Sequence, residues 1–564
     1  MLTILENIIA AVQAVADPYT LVLMAVGVAA GLLAGAIPGF TITMAVILTL
    51  PFTFGMDAVR GLAVMIGVFV GGLSGGLMAG ILTGIPGTPS SVATTFDGFP
   101  MARGGRPGLA LGIGVWSSFF GGMISACFLM ALAPSLARIG LEFGPWDYFS
   151  LVVFALTITA SLAGKNMLKG VIAGVAGLLI AAIGEDETSG VARFTFEFDD
   201  LRQGFDFLPV LVGLFAFSQL LTDLRDTAKA QRPMVIGEAK HIRIQHIAAV
   251  KAILARWTTL LRSSLIGVFV GILPGAGGTI ANILAYDQAK KASRHPEQFG
   301  SGLPEGIIAP ESSNNAVEGG ALITMMALGI PGDVVTAVML GALLIHNIAP
   351  SPTFISTEPV LAYSIMVSFV FGLCIMLALQ TVCLRVFVQV TRIPLYRLGT
   401  VILIYCAIGV FALNNITFDL WTLFWFGLLG YAMRRFEFPL APMILGVVLG
   451  DNAEINLIRA LASDSDLTLF VTRPWSLFFL TVAMFSIAFP WYQHARGAKR
   501  WAVFYLPAVP LALSIPLFMM GGTVRPLVAA GLIVLAGWLL WRRYQSGWTL
   551  PPPQAESSME IRES

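Results

Sequence analysis

Along most of the chain, apolar residues come in runs too long for a soluble core helix, separated by short clusters of glycine, proline or charge. A membrane-crossing helix needs about 20 such residues. That length predicts spans over 62–82, 108–133, 147–163, 167–184 and 207–222. A second series follows near 337–349, 361–384, 398–413, 419–433 and 437–450, then 476–492, 502–518 and 527–541. Two places break this rhythm. Val22–Ile37 and Thr41–Phe54 are each short, and Pro38-Gly39 between them predicts a hairpin of half-helices, because proline ends a helix and glycine permits the reversal. Gly271-Ile272-Leu273-Pro274-Gly275 repeats the form in the second half.

Each hairpin is followed by a second interruption. In the first half Gly84-Ile85-Pro86-Gly87-Thr88-Pro89-Ser90-Ser91 ends the run 62–82; in the second Gly329-Ile330-Pro331-Gly332-Asp333 ends a run from Ala321. The latter belongs to a longer element, Glu305–Thr336, which begins with Pro310-Glu311-Ser312-Ser313-Asn314-Asn315, so that polar and charged groups stand at both ends of a segment that otherwise looks intramembrane. Unwound backbone survives in hydrocarbon only where protein or a watery cavity surrounds it. Paired interruptions at corresponding places point to a transporter site between repeats. The expected fold is therefore an all-α polytopic membrane protein with inverted structural repeats, re-entrant hairpins and broken helices. Its expected divisions are an interfacial helix within 1–17, a first repeat over 18–222, a basic cytoplasmic linker over 223–262 and a second repeat over 263–495. Extra spans within 496–550 and a disordered, proline-rich tail over 551–564 complete it.

Composition agrees with that class: 57% of the 564 residues are hydrophobic and 12% charged, about half the charge of a soluble domain. Net charge is +1, so no basic field advertises nucleic acid. Arg225, Lys229, Arg232, Lys240, Arg243, Lys251 and Arg256 place the central linker in the cytoplasm, and Arg434 and Arg435 place a later loop there. Residues 451–473 then fall outside as a loop. Threaded this way, the first hairpin enters from outside and the second from inside.

The chemistry expected of the breaks is ionic. Half-helix N-termini present unpaired N–H groups to an anion. Thr88, Ser90, Ser91, Thr94, Ser313, Asn314, Asn315 and Thr336 add neutral donors, so a carboxylate could be held without a buried lysine or arginine and still be released. Asp97, Glu311 and Asp333 are the expected cation-coupling groups, for a sodium ion or a proton. Pro38, Gly39, Pro86, Gly87, Pro274, Gly275, Pro331 and Gly332 are the expected hinges. Plainer readings stand beside these: the glycine run 71–76 as close helix packing, Ser312–Asn315 as a helix cap, Asp97 as an interface residue. No histidine or cysteine has metal-ligand spacing, and no phosphate-binding Gly-x-x-x-x-Gly-Lys-Ser/Thr loop occurs, so no metal, cofactor or ATP use is expected.

The runs 84–108 (GIPGTPSSVATTFDGFPMARGGRPG), 271–286 (GILPGAGGTIANILAY), 305–323 (EGIIAPESSNNAVEGGALI), 329–350 and 439–461 resemble the large membrane subunit of the tripartite tricarboxylate transporters, the TctA family. The resemblance covers roughly residues 15–495. It implies a carboxylate importer of the bacterial inner membrane, driven by a cation gradient. Its partners would be a small TctB-like membrane subunit and a periplasmic TctC-like solute-binding protein. Two spans beyond residue 500 extend past the usual end of the family. A stand-alone carboxylate carrier and an intramembrane hydrolase using Ser312 or Ser313 with Glu311 or His346 are the rival readings.

Overall fold

The computed structural model describes residues 2–37, 40–162, 166–186, 190–225, 242–346, 348, 350–382, 395–496, 499 and 501–548. The expected hinge Pro38-Gly39, linker residues Lys229, Arg232 and Lys240, and the tail from 551 lie outside these. Helices make up nearly all of it; the sheet found among the described residues pairs Gly184–Glu185 with Ala192–Arg193. Nine helices among the described residues are long and apolar enough to cross a bilayer. This is a multi-pass, all-α membrane protein.

Two helices form the middle. Ala58–Thr83 is apolar and buried almost throughout, and Glu305–Leu328 is buried from Gly306 to Ala327 although it is full of polar side chains. Around Glu305–Leu328 lie the long helix Pro107–Gly140 and the helices Trp257–Ile272 and Gly277–Ala292. The glycines decide how closely these approach. A Cβ on Gly31 or Gly35 would fall 2.2 Å from the carbonyl oxygen of Val68 or Gly72. In the second half, Gly267 and Gly271 stand 2.3 Å from the carbonyls of Ser313 and Val317 on the same test. Gly75 against the Leu32 carbonyl has its counterpart in Gly320 against that of Val268. Backbone meets backbone in both halves at positions of equal spacing, which only residues without side chains allow.

The breaks repeat as well. Ala58–Thr83 and Glu305–Leu328 each end on a left-handed glycine, Gly84 (φ 77°) and Gly329 (φ 70°). Each following loop turns back along its helix. Gly87 N–H donates to Gly76 O at 3.3 Å, and a Cβ there would meet Gly35 O at 2.2 Å; a Cβ on Gly332 would meet Gly271 O at 2.1 Å and Ala321 Cα at 2.6 Å. Gly275 N–H ties the second hairpin to this loop through Gly332 O at 2.9 Å.

Several expectations change. The stretch Pro310–Asn315 does not cap a helix but lies within one: Pro310 is early enough that its missing N–H leaves only the Gly306 carbonyl without its helical donor, and the polar side chains turn to neighbouring helices. The first hairpin arm begins at Pro18, capped by Asp17 accepting from Thr20 N–H at 3.2 Å, and its 19 residues are long enough to cross. Helix Leu440–Ser463 runs through Asp451, Glu454 and Arg459, where an external loop was expected, because charges that stay hydrated or paired do not end a helix. Within the basic linker, His246–Leu254 is helical and bends by 83° into Trp257–Ile272. It is tied to the long helix by Trp116 Nε1–H donating to His246 Nδ1 at 3.0 Å.

The C-terminal helices Ala502–Met519 and Val524–Gln545 pack mainly on each other. Tyr505 stacks on Tyr492 at 4.4 Å, and a clasp fixes the helix pair further to the body: Arg525 lies over the Trp475 ring at 5.3 Å and donates to both Glu142 oxygens, at 2.5 and 2.7 Å. That hydrogen bond holds Glu142 below the usual carboxylate range.

Two predictions follow from this packing. Gly87→Ala and Gly332→Ala each lower the unfolding free energy in detergent by about 2 kcal/mol or more, because backbone oxygen cannot yield to the new methyl. Gly537→Ala, with open space around it, costs nothing by the same denaturation assay. Arg525→Ala costs under about 1 kcal/mol near neutrality, since the pair is partly solvated. Glu142's depressed folded pKa makes that stabilisation present above its unfolded pKa and lost as pH falls through the folded one, so wild type and variant converge in acid.

Candidate functional site

On Glu305–Leu328, residues 311, 314, 315 and 318 fall along one side of the helix and carry two carboxyl and two amide groups, all 0% exposed. A charge or amide at this depth must find partners within the protein. Glu311 Oε1 accepts from Thr94 Oγ1 at 2.5 Å and Oε2 from Ser118 Oγ at 2.9 Å. Asn315 Oδ1 accepts from Ser74 Oγ at 2.7 Å, and Ser74 O accepts from Gln380 Nε2 at 2.9 Å. Asn314 Nδ2 donates to Leu73 O at 3.2 Å, and Ser313 Oγ donates to Ala281 O at 3.1 Å.

The first break closes on the same place. Thr88 and Ser90 hydroxyls lie 3.1 Å apart, Ser91 Oγ donates to Thr88 O at 2.9 Å, and all three residues are buried. The helix Val92–Arg103 that follows has its Ala93 N–H bound to Asn282 Oδ1 at 2.8 Å, and Asn282 Nδ2 reaches Thr94 Oγ1 at 3.5 Å. A Cβ added at Gly278 would meet Asn314 Oδ1 at 2.6 Å and Ser90 Cβ at 3.0 Å, so the hairpin helix Gly277–Ala292 begins where the first break and Asn314 meet. Asn314 Oδ1 has no hydrogen-bond partner among the described residues. Gly277 faces open space and Thr279 is exposed, so this corner is reached from outside.

The second break lies one helical turn further along. Its N–H ends are closed from within: Asp333 Oδ1 accepts from Thr336 N–H at 2.8 Å, while Thr336 Oγ1 accepts from Asp333 N–H at 3.0 Å. Thr88 and Ser91 occupy the matching capping positions in the first half, without a carboxylate. The two breaks are therefore alike in shape and opposite in electrostatic character: hydroxyls at one, an acid at the other. Thr336, expected to hold substrate, spends its hydroxyl on Asp333.

Asp97 also differs from expectation. Its oxygens accept from Gly300, Gly302 and Leu303 N–H groups at 2.8–3.0 Å and from Tyr286 O–H at 2.9 Å. These are donors, which suit an anion and oppose a bound cation. Asp97 staples the loop before the central helix, and Gly306 leaves room for it. For the hydrolase alternative, Ser312 Oγ donates to Ala309 O at 3.3 Å and meets no base, and His346 Nε2 lies beside Gly61.

Beyond Gly329 a cavity of about 280 Å³ opens, lined by Tyr148, Ile330, Ser351, Asn452, Asn456 and Arg459 among others. The last three share a face of Leu440–Ser463 by their spacing. On the other side of that helix a cavity of about 350 Å³ is lined by Glu185, Asp186, Arg193, Asp451 and Glu454, with Arg193 and Glu454 paired.

Residues 21–445 match the tripartite tricarboxylate transporter TctA family. The chain belongs to that family. An uncharacterized 52.8 kDa protein in the TAR-I ttuC' 3' region of Agrobacterium vitis is 33% identical over 486 residues, covering 86% of this chain and 95% of that one. A second protein of that organism, in its TAR-II ttuC' 3' region, is 36% identical over 209 residues, 37% of this chain and 86% of its own length. No solved structure matches. The family match holds both breaks and the whole central helix of this TctA-family chain, and ends within Leu440–Ser463.

Ser74, Ser118, Asn282 and Gln380 complete the polar cluster and were not singled out from the sequence. Asn282 lies in one of the runs that carry the family resemblance. Ser74 lies in the glycine run 71–76, and Ser118 and Gln380 lie in apolar helices where no motif marks them. Since Asp97 collects N–H donors that an amide nitrogen would repel, Asp97→Asn should release the 300–303 loop. Limited proteolysis should then cut near residues 293–303 faster, by the factor that loss of charge-assisted bonds worth about 1.5–3 kcal/mol each allows.

Proposed function

We propose that this chain is the translocation subunit of a binding-protein-dependent secondary importer of tricarboxylates or related carboxylates in the bacterial inner membrane. A small TctB-like membrane subunit and a periplasmic TctC-like binding protein would complete it, with a sodium or proton gradient as the driving force. The observation that carries this reading is the junction of Thr88, Ser90, Asn314 and the start of Gly277–Ala292. Hydroxyl donors and a helix N-terminus converge there beside the Asn314 amide, and the buried polar residues among those described include no lysine or arginine. Such a site attracts a carboxylate and lets it go. The acid-bearing second break suits the cation instead.

The matched glycine crossings and breaks support reading the halves as repeats, and the charged flanks support opposite orientations for them. Alternating access would then be a rocking of one hairpin and break against the other around the polar stripe. The cavity with Asn452, Asn456 and Arg459 would be the outer mouth. Family membership favours the partnered system over a stand-alone carrier.

Reconstitution in liposomes with the small subunit and a citrate-loaded binding protein tests this directly. Uptake should follow an imposed sodium or pH gradient, and uptake indifferent to both removes the secondary-transport reading. Asn314→Ala and Ser91→Ala should each reduce uptake about tenfold or more at unchanged expression, the loss expected of a hydrogen bond to a charged ligand. Wild-type rates in both would leave these residues as structural caps.

A further inference from the structure

We propose that Glu318 is the proton carrier of this transporter. The inference rests on the transport reading above and assigns its coupling ion and residue. Glu318 is 0% exposed, and neither carboxyl oxygen has a hydrogen-bond partner among the described residues. An ionised carboxylate in that position forfeits its hydration with nothing in return, a cost that protein groups avoid by binding a positive charge. Glu311, two turns earlier, is satisfied by two hydroxyl donors, so it has no such need.

The surroundings say which charge. Asp333 follows Gly332, which packs against Ala321 about one turn from Glu318, and it already caps Val334–Ile345. The other ionisable groups on the helices packed around Glu305–Leu328 are otherwise engaged or lie at helix ends: Asp97 with its loop, Tyr286 with Asp97, Asp287 with Lys291, Arg138 and Arg262 toward the ends of their own helices. No group of three or more acidic, histidine or cysteine ligands that could hold a metal ion occurs among the described residues. One proton on Glu318 accounts for a carboxyl without donors, whereas Asp333 has the Thr336 N–H and hydroxyl as its own.

Position supports the assignment. The neighbouring Val317 carbonyl is the one against which Gly271 packs, and Ala321 is the one against which Gly332 packs. Glu318 thus lies, along its helix, between the contact with the second hairpin and the contact with the second break, the parts that must separate if this half opens. In the matched crossing of the first half the Gly72 carbonyl takes the place of Val317's, so Leu73 stands where Glu318 stands. The acid exists in one half alone. On opening to the outside, a hydronium ion transfers its proton to a Glu318 oxygen; on opening to the cytoplasm that O–H bond breaks and the proton returns to water. No other reactant is required.

The test compares wild type and Glu318→Gln, which mimics the protonated acid, in liposomes with the small subunit and citrate-loaded binding protein. Wild type should accumulate citrate about tenfold per pH unit for each proton carried. Glu318→Gln should exchange internal for external citrate yet show no pH-driven accumulation. Undiminished pH-driven accumulation in the variant overturns the proposal, as does wild-type accumulation that answers to sodium alone. In parallel, the infrared spectrum of the full-length protein should show a protonated-carboxyl C=O band at neutral pH that Glu318→Gln removes and Glu318→Asp shifts. A spectrum indifferent to both overturns the assignment even where no citrate moves at all, a result that would instead count against the transport reading.

Discussion

A helix that carries Glu311, Asn314, Asn315 and Glu318 can lie within a bilayer only if protein surrounds it on every side. Hydrocarbon offers no partner to an amide or an acid, and each one left bare costs several kcal/mol. Much of the architecture answers to this. The long helix Pro107–Gly140 supplies the Ser118 hydroxyl, Val92–Arg103 supplies Thr94, Ala58–Thr83 supplies Ser74 and the Leu73 carbonyl, and Pro359–Val382 sends Gln380 in behind them. Glycines at the crossings bring these helices close enough for short side chains to reach. Glu318 stands out because, among the acids and amides of this stripe, it alone has no hydrogen-bond partner on any side-chain atom among the described residues.

The two halves share a framework and divide the chemistry. Glycine crossings, left-handed helix ends and capping pairs recur position for position. The side chains built on them differ: Thr88 against Asp333, Leu73 against Glu318. Shape is conserved between the halves because backbone contact tolerates no substitution. Polarity is free to diverge, because a side chain pointing into the centre answers only to its local partners. A carrier of anion with cation needs just such a division, with hydroxyls and amides at one break and acids at the other.

Outside this centre, charge serves attachment. Asp97 gathers three backbone N–H groups and a phenol to fix the approach to the central helix. Asp147 accepts from Arg473 and from the Ser476 N–H to join helix Pro145–Leu162 to Pro474–Ala495. The Arg525 clasp on Glu142 and Trp475 ties on the C-terminal pair, whose outer faces are otherwise left to the surroundings. Removing an attachment of this kind loosens a segment and leaves the polar stripe intact.

Run length and the Gly-Ile-Pro-Gly punctuation were enough to establish a helical membrane protein, the helix ends at Gly84 and Gly329, and the family, because each depends on local chain chemistry. Local signals left Pro310–Asn315 open between a binding site and a helix cap, and it proved to be helix interior. Whether a polar run bends out of a helix or stays in it depends on partners from helices hundreds of residues away. Ser74, Ser118, Asn282 and Gln380 were invisible for the same reason, and Asp97 looked like a cation ligand until the donors around it were seen. The sequence by itself determined where the backbone can turn and how closely helices can approach. Only the tertiary structure decided which buried acid has partners and which has none, since that is settled by distance between segments that share no neighbourhood along the chain.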